Sequence, residues 1–139
     1  MQYKIFGNTM IVRIDRGEEI ISSVKNICEQ EGIQLASLSA LGAVDHVQVG
    51  LYRVEEQTYC PNTFDGDMEM TSLTGNVTLK DGKVYLHIHA DFADEKGHVF
   101  GGHLTEAVVS GTCEMFIQVI SGKIGRRHDA ITGLNILDI

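Results

Sequence analysis

A chain of 139 residues with 43% hydrophobic content is typical of one globular domain, which we expect to span residues 1–139. Its 11 basic and 19 acidic residues give a net charge of −8, which disfavours DNA as a partner because phosphate binding relies on Lys and Arg. No apolar run reaches the roughly 20 residues of a membrane span. The amino terminus has no signal-peptide core, so we expect a cytoplasmic protein that does not bind membranes.

The first predicted elements are a short β unit and one helix. Residues 4–15, KIFGNTMIVRID, predict a strand pair or one interrupted strand. Residues 15–32 predict the helix, because apolar residues recur there at helical spacing. These residues are Ile20, Ile21, Val24, Ile27 and Cys28. Asp15 and Glu18 have the spacing of a capping box at the amino end, and Gly32 suits the position just after the helix.

The middle of the chain predicts strands. Residues 33–44 and 46–54 predict two strands with a bend at Gly42, and residues 55–66, which hold the proline, predict a loop. Residues 67–79 and 84–92 predict a hairpin, because the Asp-Gly pair between them is typical of a tight turn.

A second reversal is predicted at DEKG, residues 94–97, before a long apolar strand at 98–120. One helix against many strands predicts an α+β domain. We expect a largely antiparallel sheet packed against one main amphipathic helix.

Four of the six histidines lie in HIHADFADEKGHVFGGH, residues 87–103. Side chains alternate faces on a strand, so His87 and His89 share a face, roughly 6.6 Å apart. Residue numbers paired across the hairpin sum to about 191 or 192, which places His103 opposite Ile88 or His89. In the second register three imidazoles meet on one side of the sheet. The alternative is that His87 and His89 are a solvent-facing polar pair on an edge strand. Strand parity predicts that His98 faces the other way.

Three neutral imidazoles favour zinc, with copper, nickel or iron(II) as alternatives. They leave a coordination position for water, which could act as a nucleophile in a hydrolase or lyase on a small molecule. Asp91 shares the histidine face and Glu114 lies further along the last strand; either could be the acid or base, or could orient an imidazole. Gly101 and Gly102 could let backbone approach the site, or form a bulge that reverses the strand parity and turns His98 to the histidine face. We expect the metal to leave as the pH falls through about 6.

One small basic group, Lys123, Arg126 and Arg127, lies in SGKIGRRHD near the carboxyl end. We interpret it as a solvated loop.

Three segments together resemble the plants-and-prokaryotes-conserved (PPC) domain. They are residues 13–52, the segment DMEMTSLTGNVTL, and VYLHIHADFADEKGHVFGGHL, which is the most specific. The resemblance covers nearly the whole chain and implies an α+β homotrimer that binds metal through His87, His89 and His103.

In plants the PPC domain follows AT-hook motifs in nuclear DNA-binding proteins, which makes a DNA-binding regulatory protein a further alternative. The chain lacks the Arg-Gly-Arg-Pro hook. We therefore expect self-association and a small-molecule ligand as partners rather than DNA.

Overall fold

One sheet of eight strands dominates the fold, and a single helix lies against it. The computed structural model describes residues 1–139. The elements are β1 (Gln2–Phe6), β2 (Thr9–Asp15), α1 (Ile20–Gln30), β3 (Ala36–Arg53), β4 (Thr58–Lys80), β5 (Lys83–Ala93), β6 (Val99–Val119), β7 (Gly125–His128) and β8 (Asn135–Asp138). All strand pairs are antiparallel except β4 with β7, which meet in parallel at Leu79 and Gly125. The helix α1, with 11 residues, is too short to span a membrane.

The strands follow the order β1-β2-β6-β3-β4-β7-β8, and β5 pairs with both β4 and β6. The pairs β6–β3, β3–β4, β4–β5 and β5–β6 therefore form a closed ring. Alternate side chains of the strands point into a core that the apolar stripe of α1 helps to cover. On β5 the buried residues are Ile88, Ala90 and Phe92. Their neighbours, including both histidines, therefore face away from the core.

The helix begins later than the capping-box spacing predicts. Asp15 ends β2, and its backbone N–H donates to the Glu18 carboxylate at 2.8 Å within a turn rather than a helix. The N-cap is Glu19, whose carboxylate accepts from the N–H groups of Ile21 and Ser22. Gly32 follows the helix with a φ of 65°, which confirms its predicted place.

Two other predictions for the first half of the chain are corrected. The predicted strands at 33–44 and 46–54 form one strand, β3, whose bend is absorbed by irregular pairing between Ala40 and Gly42 and between Val44 and His46. The predicted loop at 55–66 is mostly strand, since β4 begins at Thr58. Residues 58–68 of β4 pair with β3 alone. Pro61 therefore lies in an edge segment of the sheet, where a residue without a backbone N–H is tolerated.

Both predicted hairpins of the second half are confirmed. In the β4–β5 turn, Asp81 and Gly82 have positive φ values of 53° and 76°, as a type I′ turn requires. In the β5–β6 hairpin, Ala93 pairs with Val99 and His89 with His103. This is the second of the two predicted registers.

Candidate metal centre

Three imidazoles converge on the face of the sheet that points away from the core. His87 and His89 lie on β5, and β6 places His103 directly opposite His89. The ring centroids are 5.1, 5.3 and 5.4 Å apart. One ring nitrogen from each residue lies within 4.8 Å of the other two. We call His87, His89 and His103 the histidine cluster. One divalent ion is within reach of all three.

Burial favours the neutral form of two members of this cluster, His87 and His103. Burial is the largest cause that lowers the pKa of His87, and the neighbouring charges of His103, His89 and Arg126 add to it, so that the pKa is about 4. Burial also lowers the pKa of His103, with a smaller contribution from His89. Neutral imidazole is the ligating form, and three imidazoles without a carboxylate suit zinc, copper, nickel or iron(II). The residues present therefore fit a transition-metal ion.

Neighbouring strands hold the cluster in place. The ring of Tyr59 meets that of His103 edge-on at 5.9 Å, and its hydroxyl donates to the His103 carbonyl at 3.1 Å. On β4, Thr74 pairs with His89 and Asn76 with His87. The cluster is thus fixed by backbone pairing on both sides of β5.

The other residues predicted at the site fall in different places. Asp91 follows His89 on the same face, beside Gly101. Glu114 pairs with Arg13, roughly 35 Å farther along β6 than His103, which is too far for contact with the cluster. His98 lies in the turn, exposed, with its Nδ1 3.1 Å from the Asp94 carboxylate.

The two predicted glycines bring strands together. A Cβ at Gly101 would lie 2.3 Å from the Ala90 carbonyl oxygen, and one at Gly102 would lie 2.6 Å from that of Gly50. Gly102 also has a φ of 156°. These glycines allow β6 to approach β5 and β3 closely beside His103.

Arg126 is a neighbour of the cluster that the sequence did not reveal. The predicted loop around it is strand β7, paired with β8. Its guanidinium lies over the ring of Tyr85, 4.7 Å from the centroid, and its Nη2 donates to Asn76 Oδ1 at 2.8 Å. The four-residue length of β7 gives no periodicity that could have identified it.

The fold and the site place this chain in a class of small α+β proteins. These are built on one mostly antiparallel sheet and carry a histidine cluster on its outer face. The chain belongs to the Plants and Prokaryotes Conserved (PCC) domain family, whose model matches residues 1–121. No curated protein matches the chain significantly.

Several solved structures are similar over almost the entire chain. A suspected DNA-binding protein from Bacteroides thetaiotaomicron is 31% identical with a TM-score of 0.96, over 99% of this chain and 96% of that one. A metal-containing protein from Archaeoglobus fulgidus is 34% identical with a TM-score of 0.90, over 99% and 97%. A plant- and prokaryote-conserved protein from Pyrococcus horikoshii is 34% identical with a TM-score of 0.88, over 99% and 95%.

Proposed function

We propose that this protein binds one zinc or similar divalent ion per chain through His87, His89 and His103. The convergence of three ring nitrogens within 4.8 Å carries the proposal. The lowered pKa values of His87 and His103 support it, because the rings need not lose protons at neutral pH before they bind. The 34% identical relative that contains metal is consistent with it.

Elemental analysis tests the proposal. The protein is purified without a polyhistidine tag and should hold about one transition-metal ion per chain. After removal of metal by a chelator, zinc should bind again in the same ratio. Protein that holds no metal as purified and takes up none would contradict the proposal.

The pH at which this site loses its metal should be lower than that of a site built from imidazoles with an ordinary pKa. Protons compete with the ion for the ring nitrogens, and a lowered pKa weakens the proton as a competitor. His87 has its pKa lowered from 6.5 to about 4. We therefore expect release as the pH falls from 6.5 toward 4, and not already above 6.5. Dialysis at a series of pH values followed by elemental analysis measures this; release complete at pH 6.5 would contradict it.

We further propose that the chain assembles as a homotrimer. Three apolar side chains on adjacent strands face away from the helix: Ile11, Leu41 and Phe116 are 38%, 60% and 51% exposed. Ile11 pairs with Phe116 across β2 and β6, and Leu41 on β3 pairs with Glu114, two residues from Phe116 on the same face. Such surfaces in soluble proteins are typical of subunit contacts, and the number of three subunits is what the resemblance to the PPC domain implies.

Sedimentation at micromolar concentration should give three times the chain mass. Phe116→Asp should shift the protein toward monomer, because it places a charge on the proposed contact. Ile131→Asp, at a side chain 86% exposed between β7 and β8, is the control and should leave the mass unchanged. A wild-type monomer would contradict the trimer.

DNA binding is the second candidate function, because the relative from Bacteroides is suspected of it. The net charge of −8 opposes this function. We expect no binding to duplex DNA at physiological ionic strength in a fluorescence anisotropy titration. Neutralising even six phosphates would make affinity fall about a thousandfold or more between 50 and 200 mM salt. Submicromolar binding with that steep salt dependence would favour DNA instead.

A further inference from the structure

Arg126 is a half-buried cation without a carboxylate partner. Arg13, Arg53 and Arg127 each lie within 4 Å of a carboxylate oxygen. The guanidinium of Arg126 meets only neutral acceptors: Thr78 Oγ1 at 2.8 Å, the Asn135 carbonyl at 2.7 Å and Asn76 Oδ1 at 2.8 Å.

These three contacts leave two of the five N–H groups of Arg126 without a partner, since arginine carries five. The side chain is half-buried, and this burial lowers the pKa of its guanidinium. An uncompensated charge in such a position is costly. An anion that binds there would offset this cost.

Arg126 lies at one end of the histidine cluster. Asn76, which accepts from its Nη2, pairs directly with His87. Tyr85, whose ring lies under the guanidinium, precedes His87 by two residues and shares its face. The positive charge of Arg126 contributes to the lowered pKa of His87, as expected of neighbours.

We propose that Arg126 and the metal held by the histidine cluster together bind the carboxylate of a small organic molecule. The inference depends on the proposed metal site. Three neutral ligands leave the charge of a divalent ion uncompensated and one coordination position open. The carboxylate is held at that position and by the two free N–H groups of Arg126.

The number of donors favours a carboxylate over a phosphate. Guanidinium groups bind both, in paired hydrogen bonds. One open metal position and two N–H groups satisfy the two oxygens of a carboxylate. Neither the metal position nor Arg126 offers a further partner for the additional charged oxygens of a phosphate, so phosphate should gain less from this pair of groups.

Cobalt(II) provides a readout that does not depend on an activity, because its visible spectrum changes with its ligands. Protein loaded with cobalt(II) alone is titrated with acetate, with its neutral analogue acetamide and with inorganic phosphate. We expect a saturable spectral change with acetate, none with acetamide, and weaker binding of phosphate than of acetate.

Variants then assign the effect to Arg126. Arg126→Gln should retain cobalt but bind acetate roughly 10- to 100-fold more weakly, the scale of a lost charged hydrogen bond. Arg126→Lys keeps the positive charge but loses the planar guanidinium with its paired N–H groups. Its affinity for acetate should lie between those of Arg126→Gln and wild type. Arg127→Gln is the matched control on the same strand and should bind acetate as wild type does.

The outcomes separate the two proposals. Failure of the wild type to take up cobalt overturns the metal site and this inference with it. Cobalt uptake with equal responses to acetate and acetamide overturns only this inference, as does phosphate binding more tightly than acetate. Equal acetate affinity in the wild type and in Arg126→Gln also overturns it. If thermal melting shows that Arg126→Gln does not fold, the acetate affinity of Arg126→Lys is compared with that of wild type instead. Equal acetate affinities of these two proteins overturn the inference.

Discussion

His103→Ala is expected to remove most of the bound metal. His87 and His89 would remain, but two ligands from one strand do not hold an ion against competing water. The loss should exceed the roughly 10- to 100-fold decrease in affinity that follows removal of a supporting residue. Zinc affinity, measured by competition with a chromophoric chelator, provides the comparison with wild type.

His98→Ala is the matched control. This histidine belongs to the same hairpin, but it is exposed in the turn, where its Nδ1 lies 3.1 Å from the Asp94 carboxylate. Metal affinity should stay within about twofold of wild type, a difference of less than roughly half a kcal/mol. Loss of metal in His98→Ala together with its retention in His103→Ala would show that the ligand set is wrong.

Phe92→Ala should cause the largest loss of stability of any single change considered. Phe92 is fully buried on β5, and its ring centroid lies 6.2 Å from that of Phe100 on β6. Truncating a buried phenylalanine leaves a cavity and costs about 3–5 kcal/mol. Denaturant unfolding of the metal-free protein, at one fixed protein concentration, measures this loss.

Val99→Ala is the control for this change. Val99 begins β6 and is 62% exposed, so its truncation should alter the free energy of unfolding by no more than about 0.5 kcal/mol. Equal losses in the two variants would mean that the core on the inner side of β5 does not support the hairpin that bears the histidine cluster.

The histidine cluster could be predicted because its geometry depends on local rules. The alternation of strand faces places His87 and His89 together, and a short turn limits the partner of His89 to one or two residues. The β4–β5 hairpin was predictable for the same reason, since Asp81 and Gly82 specify the turn. Short-range chemistry therefore determined both hairpins and the candidate ligands.

Other features depend on contacts that are distant in sequence. Arg126 reaches Asn76 and Thr78 across about fifty residues, and no local pattern in β7 predicts that approach. The predicted start of the helix was too early. The Glu18 carboxylate accepts a hydrogen bond from the N–H of Asp15, and this contact occurs in a turn as well as in a capping box. Glu114 shares the long strand β6 with His103, but the length of that strand separates them.

The first part of β4 has a consequence for how the molecule behaves at high concentration. Residues 58–68 pair with β3 on one side only, so the other side of this backbone could template a strand from another molecule. Pro61 offers no N–H to such a strand, and Asp65 and Asp67 present charge along the same segment. We expect these residues to discourage edge-to-edge polymerisation into β aggregates, and the net charge of −8 to add repulsion between molecules.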